Sequence, residues 1–448
     1  MWRLALSCTL CAATIGALLP VAAEAAGYAL KEQSTTAQGN AFAGASTGTD
    51  DVSFMFFNPA ALAWISRPEV QLESVLVQPR IELERASAST FAGVPISGRD
   101  HDGDVAQGAI IPAFYVAAPV TPLVTAGMGI NVPFGLETEY RRNWAGRYHG
   151  IQSKLETINI NPALAWRPFS WLAVGGGFQA QYVDGRLTNA VDFGTIGESQ
   201  GFPGAQPGAQ DGLAKLRGND WSYGANAGVM VEPRRGTRIG VAWRSQIQHR
   251  IKGRVNFRDD EAGIAQSLRS QGFQLFADGN ASLDLDTPQS VSFGVRQAIT
   301  PKLDAMAEVQ WTDWSAFDQL TVEFDNPGQP DNVTEEEWHD SWFLALGSTY
   351  RLDPAWTLRG GIAFDQGPVR TKYRTPRIPD ANRYWLSLGA GYEPNDWLGF
   401  NLGLTYIFVD DSRVRLRAED TGSQLRGNLD ADYESDIILL GLNARVRF

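Results

Sequence analysis

From about Pro68 to Phe448 polar and apolar side chains alternate with a period of two, the repeat of a strand with two unlike faces. In 398–408 one face carries Leu398, Phe400, Leu402, Leu404, Tyr406 and Phe408, and the other carries Gly399, Asn401, Gly403 and Thr405. The segment 172–182 sets Leu172, Val174, Phe178, Ala180 and Tyr182 against Ala173, Gly175, Gly177, Gln179 and Gln181. The second face is built from Gly, Ser, Asn and Gln rather than Lys and Glu, and aromatic residues such as Trp166, Trp171, Trp221, Trp311, Trp342 and Trp397 stand at strand ends. A soluble sandwich accounts for alternation but not for these two features. A lipid-facing apolar band with aromatic girdles around a polar lumen requires both.

Turn chemistry sets the strand number. X-Pro steps at Thr121-Pro122, Arg167-Pro168, Glu232-Pro233, Thr300-Pro301, Asp353-Pro354 and Glu393-Pro394 mark short reversals, because proline presets φ and cannot donate to a ladder. Longer polar connections lie near 86–106, 141–150, 189–218, 258–282, 325–338, 375–382 and 418–430. Six short turns alternating with seven long loops predict a fourteen-stranded antiparallel transmembrane β-barrel, with short turns periplasmic and long loops outside. The last strand, ending in Ile438, Leu440, Leu442, Ala444, Val446 and Phe448 on one face, is expected to close the barrel against the first, since an open edge in lipid strands its backbone groups.

Ahead of the barrel the pattern changes. Arg3, an apolar stretch from Leu4 to Leu19 and Ala23-Glu24-Ala25 read as a signal peptide over 1–25, implying export and a mature start at Ala26. Both cysteines, Cys8 and Cys11, fall inside it, which removes disulfide and thiol chemistry from the mature chain. The net charge of -12 argues against a nucleic-acid partner. Residues 26–67 are rich in Gly, Ala, Ser and Thr and predict two or three short helices, a small plug or hatch; 68–448 is then the barrel.

Several stretches carry a more specific resemblance. Ala26-Gly27-Tyr28, Gly39-Asn40-Ala41-Phe42-Ala43-Gly44, Asn58-Pro59-Ala60, the run Asn131-Val132-Pro133-Phe134-Gly135-Leu136-Glu137-Thr138-Glu139-Tyr140, Gly361-Ile362-Ala363-Phe364-Asp365 and Ile378-Pro379-Asp380 with Arg383-Tyr384-Trp385 occur in that order. Together they resemble the FadL-type (OMPP1/FadL/TodX) transporters of long-chain fatty acids and hydrocarbons in the outer membrane of Gram-negative bacteria, over the whole mature chain. The resemblance implies passive uptake: capture in extracellular loops, binding in the lumen, and lateral release through a kinked third strand. Pro133 removes a ladder donor and Gly135 relaxes the backbone, so Val132, Pro133, Phe134 and Gly135 are the expected lateral opening. Asn58, Pro59 and Ala60 are the expected gate in the plug, with Phe56, Phe57 and Leu62 facing the cavity.

Two loops carry surplus apolar side chains: Phe193, Ile196, Phe202 and Leu213 in one, and Ile264, Leu268, Phe273, Leu275 and Phe276 in the other. Exposed apolar patches mark binding, and a capture groove between them is expected. Arg186, by strand register, is the nearest lumen cation for a carboxylate, while Asn189 stands where the family's pocket arginine aligns. That departure keeps neutral and aromatic hydrocarbons open as cargo beside fatty acids. The histidines His101, His149, His249 and His339 belong to no nucleophile motif, and no Gly-x-Ser-x-Gly elbow or calcium loop occurs, which disfavours an outer-membrane lipolytic enzyme. No catalytic residue, metal or cofactor is expected. The expected partners are a hydrophobic small molecule, outer-membrane lipids with lipopolysaccharide, and the barrel-assembly machinery, for a monomer.

Overall fold

The computed structural model describes residues 27–272 and 275–448; the expected signal peptide and Phe273 lie outside them. Each short X-Pro turn joins two strands that pair in antiparallel register. The strands are β1 (Glu69–Ser89), β2 (Ala109–Thr121), β3 (Val124–Asn131 and Gly135–Glu139), β4 (Gln152–Phe169), β5 (Leu172–Asp192), β6 (Asp211–Arg234) and β7 (Thr237–Arg244 and Ile247–Arg258). There follow β8 (Gly279–Thr287 and Ser290–Ala298), β9 (Leu303–Thr312, resuming at Gln319–Phe324), β10 (Ser341–Arg351), β11 (Trp356–Asp365), β12 (Arg383–Asn395), β13 (Leu398–Val409 and Ser412–Leu416) and β14 (Asn428–Arg447). Pairing of Glu69 with Arg447 through Ser89 with Asn428 joins β1 to β14 and closes the barrel. This closure leaves no edge in the hydrocarbon.

The loops differ from the expected bounds. The segment 189–218 is strand at both ends, because β5 and β6 stay paired up to Asp192 and Asp211, and the connection proper is 193–210. The connection expected at 325–338 runs from Asp313 to Asp340 and holds a small hairpin of Gln319–Phe324 with Asn332–Glu335. The one expected at 375–382 starts at Gln366, directly after β11.

Residues 28–62 fill the lumen. They form one helical turn, Thr35–Gln38, and 3-10 segments at Ala45–Thr47, Val52–Phe56 and Pro59–Trp64. Each start is capped where a side chain allows: Ser34 accepts from Ala37 N, Asp51 from Ser53 N and Asn58 from Ala60 N, satisfying helix-end donors that water cannot reach. Between them Ala41 and Phe42 take φ of 50° and 60°, a left-handed reversal that only surrounding packing can hold. Ala37, Ala41, Phe42, Ala60 and Ala61 pack on Val75, Ile111, Ala345, Trp385 and Leu439 from the wall.

The wall admits this segment by omitting side chains beneath it. A Cβ on Gly228 would stand 2.0 Å from Asn58 Oδ1, on Gly240 2.1 Å from the Ser46 carbonyl, and on Gly361 2.1 Å from the Asn40 carbonyl. On Gly175 it would meet Ala60 N at 2.4 Å, and on Gly441 Gln38 Oε1 at 2.2 Å. These glycines lie on β6, β7, β11, β5 and β14, so the seat runs around the barrel and close backbone approach needs glycine at each point. Lumen carboxylates then hold the segment: Glu308 accepts from Ser46 N and Oγ at 3.2 and 3.0 Å, and Glu73 from Thr35 N and Oγ1 at 3.0 and 2.7 Å. Replacing Gly240 and Gly228 together by valine should leave barrel assembly intact, read as the heat-dependent gel shift of a folded barrel, while unseating the hatch. A large steady conductance in planar bilayers, absent from the unsubstituted protein, is the expected result.

Candidate functional site

The third strand is broken where proline and glycine predict it. Below the break, β2 pairs with β3 from Thr121 with Val124 up to Phe114 with Ile130. Above it, Ala106 bridges Thr138 and Glu139 N donates to the Val105 carbonyl at 2.9 Å. Toward β2 the register is the same on both sides, but against β4 the pairing passes from Asn131 with Asn159 to Gly135 with Glu156, so β3 carries one extra residue at the break, a bulge that lets 131–135 turn inward. Ala109–Ala113 of β2 keep their partners on β1 but have none on β3 among the described residues. The wall therefore has a window framed by Ala109–Ala113 and Val132–Gly135.

The displaced strand finds its partners on the N-terminal segment. Leu30 N donates to the Pro133 carbonyl at 2.8 Å and Gly135 N to the Tyr28 carbonyl at 2.9 Å. The Gln33 amide works as a two-sided backbone substitute: its Nε2 donates to the Val132 carbonyl at 2.6 Å and its Oε1 accepts from Val132 N at 3.1 Å. Phe134 N donates to Thr157 Oγ1 on β4 at 3.0 Å. Val132, Pro133, Phe134 and Gly135 thus meet the hatch at its first residues. Asn58, Pro59 and Ala60 lie elsewhere, seated on the wall; Asn58 Nδ2 donates to the Ser46 carbonyl at 2.8 Å and reaches the Val229 and Val241 carbonyls at 3.4 Å.

Three chambers lie along the lumen. The upper one, about 670 Å³, sits under the loops and includes Asn189, Val191, Phe257, Phe276, Arg377 and Arg426. The middle one, about 720 Å³, is walled by Leu136, Leu155, Leu187, Leu216, Ile251 and Leu283, with Arg377 and Glu336 at its edge. Leu187, Leu216, Leu320 and Arg377 border both, so the two adjoin. The lower chamber, about 880 Å³, holds Phe56 and Phe57 with Lys31, Arg244, Pro133 and Phe134. An aromatic floor divides middle from lower. The break in β9 carries Trp314 and Phe317 inward, where Trp314 meets Tyr28 at 4.7 Å between ring centres and Phe317 meets Trp338 at 4.9 Å.

Arg377, hidden in sequence inside a polar loop, borders both the upper and the middle chamber. It is buried, donating from Nη1 to Ser153 Oγ at 2.9 Å and reaching Asn189 Oδ1 from Nη2 at 3.5 Å. Burial and the neighbouring Arg426 push its pKa down to about 9, and burial pushes that of Arg426 to about 10. The nearby Glu336 is pushed up to about 8 by burial, so at neutral pH the pair of arginines lacks a full counter-charge. Arg186 borders the middle chamber; alternation along β5 turns its side chain opposite in sense to Leu187 and Val183, and its guanidinium lies 3.7 Å from Asp184, 39% exposed. Asn189 does face inward, bordering the upper chamber with its Oδ1 3.5 Å from Arg377 Nη2.

The two apolar loops fold on each other. Helices α1 (Phe193–Ser199) and α2 (Ile264–Ser270) form a closed cluster in which Phe193, Ile264, Leu268 and Phe276 are buried and Phe202 is half-buried. Phe193 meets Phe276 edge-on at 5.1 Å. The expected open groove is replaced by a lid, because these side chains satisfy one another; Phe276 alone of the four also borders the upper chamber.

Known proteins share this arrangement. A family model described as outer membrane protein transport protein (OMPP1/FadL/TodX) matches residues 16–448. The long-chain fatty acid transport protein of Escherichia coli K12 is 29% identical over 422 residues, covering 89% of this chain and 91% of the relative. Outer membrane protein P1 of Haemophilus influenzae Rd is 28% identical over 457 residues, covering 95% and 96%. The crystal structure of a Pseudomonas aeruginosa FadL homologue superimposes with a TM-score of 0.86 at 26% identity, over 94% of this chain and 100% of that one. The Pseudomonas putida toluene transporter TodX shares the fold at 16% identity, TM-score 0.67, over 95% and 99%. The chain belongs to the OMPP1/FadL/TodX family: it is an outer-membrane transporter of hydrophobic compounds, not an enzyme.

Proposed function

We propose that the chain takes up long-chain fatty acids without an energy source and releases them sideways into the membrane through the window between β2 and β3. The observation that carries this reading is the displaced, bulged segment 131–135, whose backbone is partnered by Tyr28, Leu30 and Gln33 of the hatch. A water-filled pore offers a long acyl chain no favourable path, since each methylene in water costs about 0.8 kcal/mol. Apolar chambers leading to an opening in lipid avoid that exposure. In this reading cargo passes beneath the lid of α1 and α2, its chain fills the middle chamber, and its carboxylate rests on Arg377. Movement of residues 28–33 then frees the window. Phe56, Phe57 and Asn58–Ala60 hold the lower hatch still while its first residues move.

Arg377 favours a carboxylate over a neutral hydrocarbon, because a buried, under-compensated guanidinium gains most from an anion. The relatives named for long-chain fatty acids point the same way. Arg377→Met should weaken binding of a long-chain fatty acid roughly tenfold, the loss of one charge-assisted contact, and leave a neutral alkane of equal length unaffected, measured by isothermal titration in detergent. The pH dependence has a definite sign. A cation with a pKa near 9 loses its charge as pH rises through that value, and Glu336 gains negative charge above about 8. Fatty-acid affinity should therefore fall between pH 7 and pH 10.

Gly135→Pro removes the donor to the Tyr28 carbonyl, and Gln33→Ala removes both contacts to Val132. Uptake of labelled fatty acid by cells lacking their own transporter should change in both variants while surface levels stay normal. Unchanged uptake in both would overturn the lateral route.

A further inference from the structure

The outer face of β4–β7 above the membrane carries a row of like charges. In register across four adjacent strands, Lys154 stands opposite Arg186, Arg186 opposite Arg217, and Arg217 opposite Arg254. Their neighbours in sequence, Leu155, Leu187, Leu216 and Val255, border the inner chambers, so alternation turns the four cations to the other face, where Lys154 is largely covered and Arg186 and Arg217 are 39% and 63% exposed. Like charges placed directly opposite destabilise a sheet. The opposite wall avoids them: there Asp432 of β14 lies between Arg85 of β1 and Arg413 of β13, at 2.6 and 3.5 Å.

Compensation on β4–β7 is partial. Lys154 is held by Glu137 and Glu156 at 3.0 and 2.7 Å, and Asp184 serves both Arg186 and Arg217 at 3.7 and 3.3 Å. Among the described residues Lys215, Lys252 and Arg254 make no ion pair, and the buried Nε of Arg186 has no hydrogen-bond partner. Asp278, the carboxylate that feels Arg254, is already engaged by Asn256 Nδ2 and Phe257 N at 3.1 and 2.7 Å. The Arg217 side chain is 63% exposed.

Height identifies what this row faces. Ile158, Tyr182 and Trp221 form the register row four residues nearer the membrane on the same strands, and interfacial aromatics mark the edge of the hydrocarbon. Four residues of strand are roughly 13 Å, which lifts the cations to the level of lipid headgroups. We propose that the row Arg186–Arg217–Arg254 is a docking site for the phosphate groups of the phosphorylated glycolipid of the outer leaflet, lipopolysaccharide. Planar guanidinium groups in line receive phosphate oxygens in paired hydrogen bonds, and the acyl chains lie down the apolar face below. A bound glycolipid also removes the repulsion within the row, so it stiffens the wall that encloses the middle chamber.

The test is binding of bisphosphorylated lipid A, its dephosphorylated form and inorganic phosphate to the full chain in detergent, by native mass spectrometry. The variants are R186Q/R217Q/R254Q and, on the opposite wall, R85Q/R413Q, each confirmed as folded by its heat-dependent gel shift. The first should weaken lipid A binding by roughly tenfold or more and the second by less than about twofold; dephosphorylated lipid should bind all forms weakly. Should the triple variant not fold, R254Q, exposed and without an ion pair, carries the test with a drop of about threefold. Undiminished lipid A binding in these variants, an equal loss in R85Q/R413Q, or inorganic phosphate bound as tightly as lipid A would overturn the proposal.

Discussion

A strand that leaves its neighbour within a bilayer exposes N–H and C=O groups that hydrocarbon cannot satisfy, each at a cost of several kcal/mol. The rest of this molecule is arranged around that constraint. Between Ile130 and Thr138 the wall gives up its β2–β3 ladder, and the lost partners are supplied from inside by Tyr28, Leu30 and the Gln33 amide. An opening is thus available only because a piece of the hatch stands in for a strand, which ties the state of the window to the position of a few N-terminal residues.

This coupling needs a hatch that is firm elsewhere. Beyond residue 33 the segment is closely seated: its carbonyls and caps sit on glycines of the wall, and Glu73 and Glu308 accept from its backbone and hydroxyls. The first residues are held instead by side chains and by the displaced strand: Gly27 N donates to Asp380 at 2.9 Å, Tyr28 Oη to the Asp286 carbonyl at 2.7 Å and Lys31 Nζ to Gln310 Oε1 at 2.6 Å. Of the hatch, it is these first residues, Tyr28 to Gln33, that meet the displaced strand beside Phe134.

Much of this was legible in the residues. The period of two, the aromatic strand ends and the X-Pro turns give closed antiparallel pairing, and Pro133 with Gly135 gives the break. Local chemistry carries each of those signals. What local chemistry cannot carry was missed. Arg377 lies in a loop whose polarity hid it, and only the fold brings it beside Asn189 and Ser153, far away in sequence. Arg186 stands at the right height on β5 and borders the middle chamber, but one step from Leu187 its side chain projects to the other face. Phe193, Ile264, Leu268 and Phe276 read as a groove because sequence reveals apolar side chains without revealing that two loops bury them against each other. The glycines beneath the hatch looked like a polar lumen face, and their purpose is visible only with the Asn58 amide or the Ser46 carbonyl above them.

The most direct measurement is uptake across a window that can be closed at will. Ala109 and Gly135 stand opposite each other by register and are unpaired across the gap, whereas Ala117 and Gly127 are paired below it. With Ala109→Cys and Gly135→Cys joined by a reversible thiol crosslinker, fatty-acid uptake should stop and return on reduction, while the same crosslink between Ala117→Cys and Gly127→Cys should leave it unchanged. Uptake that continues with the window crosslinked would contradict lateral release and require a path through the hatch.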